Sequence, residues 1–211
     1  MCNLYSLTRT QEEISRLARA LRDLTGNLPP LPGIYPDTLA PVVRTAEDGV
    51  RELAMMRWGF PPPPSIGKQP VTNVRNVKSG YWRPWLKPKQ RCLVPLTSFC
   101  EWNDSPPKVT HWFALSEERP LFWFAGIWRP WTGVRKGEAG EHRLFAFLTC
   151  PPNETVKPIH AKAMPVILTS DDACETWLAG SVEDALALQQ PAPDDLLQIV
   201  ATGAKSDSVA A

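Results

Sequence analysis

RCLVPLTSFCEW, residues 91–102, is the stretch on which the fold turns. Apolar, β-branched and aromatic side chains crowd it, and it reads as two strands, Arg91–Pro95 and Ser98–Trp102. Downstream, strands are expected at His111–Leu115, Leu121–Trp128 and Arg143–Thr149, with Gly133–Gly140 a polar loop between the last two. Met164–Leu168 reads as another strand, reached through the polar connection Pro151–Ala163, and Leu196–Thr202 as the final one. Upstream lie a short first strand, Asn3–Leu7, an extended segment, Thr72–Val77, and a hairpin. That hairpin, Val42–Ala46 with Val50–Arg57, turns at Asp48-Gly49. Many strands at short spacing predict an α+β fold: a single mixed domain, predominantly an antiparallel barrel-like β-sheet with peripheral helices.

Helix signals are few. Thr10-Gln11-Glu12-Glu13 has the form of a capping box, and Ile14, Leu17, Ala18, Leu21 and Leu24 follow at helical spacing, so that helix is expected to run to Gly26. Tyr81–Leu86 reads as one helical turn, and Ser170 and Ser181 as caps of two short helices. Leu28–Pro36 and Pro61–Pro64 are proline-rich, and the second is a surface loop. The chain after Gly203 is expected to fray, giving one domain over 1–205 and a flexible tail at 206–211.

The 211 residues are enough for one core, and 43% hydrophobic with 21% charged residues describes an ordinary globular protein. Twenty-three prolines argue against a helical bundle. The net charge of +1 hides an asymmetry. From Leu53 to Cys100 there is no acid but there are eight bases, whereas from Ser170 onward there are eight acids and only Lys205. A basic middle of this kind suits a polyanion, although charge runs are often plain solvated surface. The five cysteines show no paired metal spacing, no apolar run approaches membrane-spanning length, and no secretory segment is evident. The expectation is a cytoplasmic protein without metal or cofactor.

Cys2 is the first candidate for chemistry. Small residues at position 2 usually permit removal of the initiator methionine, which would leave an amine and a thiol on one residue. The amine titrates near pH ~8 and the thiol near ~8.5. Together they convert an aldehyde first to a Schiff base and then to a five-membered thiazolidine. The competing reading is a small apolar packing residue. Of the three histidines, His111 lies in a strand pattern and His142 in a charged loop. His160 lies in the non-repetitive stretch Pro158–Pro165, where a reactive side chain and a histidine held by backbone are equally good readings. Glu101 follows an apolar run and precedes Trp102, surroundings that raise a carboxyl pKa towards acid–base use. Asn73 and Arg75 share one face of an extended segment, suiting an orienting amide beside a phosphate-holding guanidinium.

Met1-Cys2, Arg57-Trp58-Gly59, Asn73-Val74-Arg75, the run Arg91–Trp102 with its Phe-Cys-Glu-Trp ending, and Ile159–Pro165 together resemble the SOS-response-associated peptidase (SRAP) family in order and approximate spacing. The resemblance implies a mixed α/β domain that binds single-stranded DNA and forms a thiazolidine with the ring-opened sugar of an abasic site. By position it implies Cys2 as nucleophile, Asn73 as positioning group, and Glu101 and His160 as proton handlers. Arg75, Lys162, Trp58 and Thr149 are the implied DNA contacts. The implied partner is single-stranded DNA carrying abasic sites, junctions with duplex included, met by a monomer that is nucleoid-associated when acting. The chain departs from the common pattern at Asn3-Leu4, Pro36-Asp37, Val77 and Lys162, all outside the four implied catalytic positions.

Two other classes compete. Cys2, His160 and Glu101 could form a thiol-protease arrangement whose activity goes beyond removal of Met1. Alternatively, the basic segment with Trp58, Trp82 and Trp85 could be a non-catalytic single-stranded nucleic-acid-binding module.

Overall fold

A computed structural model describes residues 2–63, 67 and 69–207; Met1, Pro64 of the proline loop and tail positions 208–211 lie outside the described residues. The elements run β1 (Tyr5–Leu7), α1 (Gln11–Ala18), β2 (Arg22–Asp23), β3 (Leu31–Ile34), β4 (Leu39–Thr45), β5 (Arg51–Trp58) and β6 (Asn73–Val74). Two 3₁₀ turns, Arg83–Leu86 and Pro88–Gln90, lead into β7 (Arg91–Leu96) and β8 (Ser98–Trp102). There follow β9 (Thr110–Ala114), β10 (Phe122–Arg135), β11 (Glu138–Cys150), β12 (Met164–Pro165) and β13 (Ile167–Leu168). The chain ends with α2 (Asp171–Ala179), α3 (Val182–Ala187) and β14 (Gln198–Thr202).

Five strands close a ring. β11, β10, β7, β4 and β5 are neighbours in that order, and β5 returns to pair with β11 in parallel, Arg57 against Leu144 and Trp58 against Phe145. Closure removes the sheet edges that would otherwise expose unpaired backbone. A second sheet, ordered β14-β9-β8-β1-β3, packs on this barrel. Its Tyr5 meets Trp58 edge-on with centroids 5.1 Å apart, and its Phe99 meets Phe124 at 5.7 Å. Such aromatic pairs add roughly 0.5–1.5 kcal/mol to the area they bury. Helix α2 is fastened to the barrel by its own core residue, since the Trp177 indole donates to the carbonyls of Cys92 and Gly126 at 2.9 and 3.0 Å.

The barrel-like α+β architecture and its central strands match the expectation, with β8 falling on Ser98–Trp102. The β4–β5 hairpin turns at Gly49 with φ of 81°. Four expectations need correction. Helix α1 is capped by Thr10, whose hydroxyl accepts from the Glu13 amide at 3.2 Å, but it ends at Ala18, where Arg19 turns left-handed at φ 53°. Leu21 and Leu24 keep the helical spacing, yet their amides bond the β5 carbonyls of Arg51 and Leu53 and their side chains face solvent. The segment Gly133–Gly140 is not a loop: β10 and β11 continue through it, Gly133 opposite Gly140, and turn on Lys136-Gly137, both at positive φ. A side chain at Gly133 would collide with the Trp131 ring, which lies across it. Met164–Leu168 divides at Val166, with β12 pairing with β11 and β13 with β10. After Gly203 the chain stays docked as far as Asp207, which is 3% exposed, accepts from Ser98 at 2.5 Å and pairs with Arg119 at 2.8 Å.

Candidate active site

Cys2 stands just ahead of β1, and its side chain is fully buried, with Sγ 3.5 Å from the Leu4 carbonyl. The backbone is fixed because the Leu4 carbonyl accepts from the Cys100 amide of β8 at 2.9 Å. Across from it, the two residues of β6 run parallel to β11, Asn73 opposite Phe147. This presents the Asn73 amide to Cys2: Nδ2 donates to the Cys2 carbonyl at 2.9 Å and to Thr72 Oγ1 at 2.7 Å. Trp58 reaches this site only indirectly. Its ring is fully buried, stacked on Phe145 and Phe147, and its indole donates to the Thr72 carbonyl at 3.2 Å. The implied DNA contact at Trp58 is therefore corrected to a core side chain that braces the Asn73 strand.

Glu101, on β8, is 1% exposed. Burial pushes its carboxyl from an ordinary 4.5 up to about 7. Burial also holds the Cys2 thiol well above its ordinary value, and the Glu101 charge adds to that rise. The two groups thus lie close enough in a low-dielectric space for the Glu101 charge to disfavour the Cys2 thiolate. His160 closes the turn after Val156, whose carbonyl accepts from its amide at 2.9 Å. Its Nδ1 lies 3.9 Å from Asp104 Oδ1 in the β8–β9 loop. Burial lowers the imidazole pKa, Lys162 and Lys108 push it the same way, and Asp104 opposes them.

Arg75 is exposed and donates to the Lys162 carbonyl, which joins the Asn73 strand to the His160 segment. Gln189 completes the arrangement, donating to the carbonyls of Arg75 and Thr149, both at 2.9 Å. Thr149 is buried, and its hydroxyl has no partner among the described residues. Gln189 and Asp104 escaped the sequence reading, and neither lies in a motif that could have marked it. His111 pairs across the sheet with Glu101, its Nδ1 3.2 Å from the Val109 carbonyl, and His142 sits in the β10–β11 hairpin. All five cysteines are free and buried, and among the described residues no group of three metal-ligating side chains stands together. No described helix is long and apolar enough to cross a membrane.

The fold has solved counterparts. A Bordetella bronchiseptica protein superposes with a TM-score of 0.75 at 22% identity, over 96% of this chain and 98% of that one. A Bacteroides thetaiotaomicron protein gives 0.75 at 21% identity, over 93% and 90%. Residues 1–205 match the family described as SOS response associated peptidase (SRAP), and the chain belongs to it. The abasic site processing protein YoqW of Bacillus subtilis is 32% identical over 135 residues, 60% of this chain and 57% of that protein. The abasic site processing protein HMCES of Gallus gallus is 29% identical over 192 residues, 76% of this chain and 56% of that protein. The chain thus spans little more than half the length of these curated relatives.

Proposed function

We propose that this protein processes abasic sites in single-stranded DNA by forming a covalent thiazolidine with the lesion sugar through Cys2, once Met1 has been removed. The observation that carries the reading is the joint placement of Asn73, Glu101 and the buried Cys2: the Asn73 amide holds the Cys2 carbonyl at 2.9 Å, and the Glu101 carboxyl, raised to about 7 by burial, is close enough for its charge to act on the thiol. The names of the Bacillus and Gallus relatives agree with it.

The lesion sugar is chiefly a closed hemiacetal, and opening it moves a proton between ring oxygen and hydroxyl. A carboxyl with pKa about 7 is half protonated at neutral pH, so Glu101 can give that proton or take it. The Cys2 amine adds to the freed aldehyde carbon, and loss of water leaves an iminium. The thiol then adds to the same carbon. The aldehyde oxygen leaves with one amine hydrogen and the thiol hydrogen, so the net change is one water released. His160, largely buried with its Nδ1 3.9 Å from Asp104 Oδ1, handles protons in closure and reversal. Arg75 and Lys162 hold phosphate, as charged side chains at an exposed rim do.

The thiol-protease reading fits less well. Such an enzyme needs a thiolate, and burial beside a carboxylate favours the neutral thiol. The test uses protein whose mass shows Met1 absent, mixed with abasic and intact single-stranded oligonucleotides. An adduct that survives denaturation is expected with the abasic strand alone. Its absence would refute the cross-linking mechanism.

A further inference from the structure

Beyond Gln189 a groove of about 500 Å³ opens between the 3₁₀ turn at Arg83–Leu86 and helix α3. Its walls are apolar: Val77 and Leu86 on one side, Val182 and Leu186 on the other. Its charged lining consists of Lys78, Arg83 and Lys87, all exposed. None of the three takes part in an ion pair among the described residues, whereas Arg22, Arg44, Arg51, Arg57, Arg119 and Arg135 are each paired with a carboxylate. The acids of α3 do not supply the missing partners, since Asp184 is bonded to Ser181 and Glu183 is outside the lining. The groove is also continuous with the site, because Gln189 lines it and donates to the carbonyls of Arg75 and Thr149.

We propose that this groove carries the DNA strand onward from the lesion, with phosphates on Lys78, Arg83 and Lys87 and one unstacked base against the apolar walls; this rests on the reading of the site given above. Phosphates recur along a strand and so match a row of cations with no ion pair among the described residues, and a base offers an apolar face that the apolar walls can cover. An acidic peptide with an apolar side chain would satisfy the same chemistry. Continuity with Arg75 favours the strand.

The test compares the native protein with Lys78→Gln/Arg83→Gln/Lys87→Gln, three exposed positions whose change leaves the core intact. Single-stranded oligonucleotides, intact or with one abasic site, are extended on the 5′ side only, the 3′ side only, or both. The triple variant should bind at least ~10-fold more weakly at low salt when the strand extends on one particular side. Its log affinity against log salt should be shallower by about 2, from three contacts at ~0.7 each. Short strands should show no loss, and the cross-linking rate at saturating DNA should be unchanged. Val77→Glu, which sets one acid among the three cations, should weaken the same long strands. Native affinity and salt slope in both variants would overturn the proposal. So would lost binding of an acidic leucine-bearing peptide with unaltered DNA binding, which would assign the groove to a protein partner. If the native protein cross-links while the variants match it, the groove assignment alone falls. If it binds long strands through these cations without cross-linking, the Cys2 chemistry alone falls. Failure to bind any single strand removes both.

Discussion

The Asn73 side-chain amide and the Cys2 carbonyl are joined by a 2.9 Å hydrogen bond that ties β6 of the barrel to the segment entering β1 of the second sheet. The opposite oxygen of that amide is buried and has no partner among the described residues. The bond thus fixes the backbone of the residue proposed to react, while the amide keeps one acceptor for a bound sugar or the Cys2 amine.

Asn73→Ala should therefore slow cross-linking more than it weakens DNA binding. Loss of one hydrogen bond typically costs ~1 kcal/mol, and misplacement of the nucleophile adds to it, so a fall of ~10-fold or more is expected at saturating abasic DNA. A single-turnover gel assay measures it. An unchanged rate would remove Asn73 from the positioning role.

Cys2 offers two lesions that should fail differently. Cys2→Ser keeps the amine after Met1 removal and should give an adduct that survives only after borohydride reduction. A residue retained or added before Cys2 leaves the thiol but turns its nitrogen into an amide, so no durable adduct should form, reduced or not. A thiol protease predicts the reverse order. Robust cross-linking by protein of verified Met1-Cys2 mass would refute the aminothiol mechanism.

Glu101 predicts a pH-dependent stability of definite sign. Its carboxyl is raised in the folded protein from 4.5 to about 7, so between those values the folded state holds a proton that the unfolded state has lost. Stability then falls as pH rises through that window and is flat above it, with a total loss on the order of 3 kcal/mol. Glu101→Gln should remove this loss, gaining stability at pH 8 relative to the native protein but not at pH 4. The same change should slow cross-linking ~10²-fold or more, because an amide cannot exchange the proton. Urea melts at the two pH values check the first part. Equal pH profiles for both proteins would show that Glu101 is not held in the neutral form.

Asp207 predicts a structural role for residues past the family match. It accepts from Ser98 and pairs with Arg119, and its amide donates to the Pro32 carbonyl at 2.8 Å. Asp207→Ala should cost about 3 kcal/mol, since among the described residues it leaves the largely buried Arg119 with only the exposed Glu117 as counter-ion. Denaturant unfolding reads this directly. A loss below ~1 kcal/mol would mean that water replaces the carboxylate.

Much of this architecture was legible because the strands are buried, and burial leaves continuous apolar runs. All six residues of β7 and four of the five in β8 are buried, and the sequence marks both strands. The far half of the β10–β11 hairpin was not legible. There the strands project into solvent, exposed and half-buried residues alternate, and the turn depends on Lys136-Gly137 rather than a stronger turn pair. The end of α1 was hidden for the opposite reason, since Leu21 and Leu24 kept helical spacing while their backbone joined β5. In the candidate site, Cys2, Asn73, Glu101 and His160 stand out in the sequence by chemistry and order as candidates. Gln189 could not, because its role is to bridge two carbonyls that only the closed fold brings together. Trp58 misled because a tryptophan in a basic segment reads equally well as a platform or as core, and here burial decided for core.

The closing of β5 onto β11 has a consequence in time. Residues 57–58 cannot find their partners until 144–145 have been made, and the side chain that holds the Cys2 carbonyl, Asn73, follows it by 71 positions. At ~5–20 residues per second, a nascent chain carries its Cys2 ungripped for many seconds on the ribosome. After ring closure the side chain is fully enclosed. The residue proposed to react therefore takes its final place late, only after the strand that carries Asn73 has been made and the ring behind it has closed.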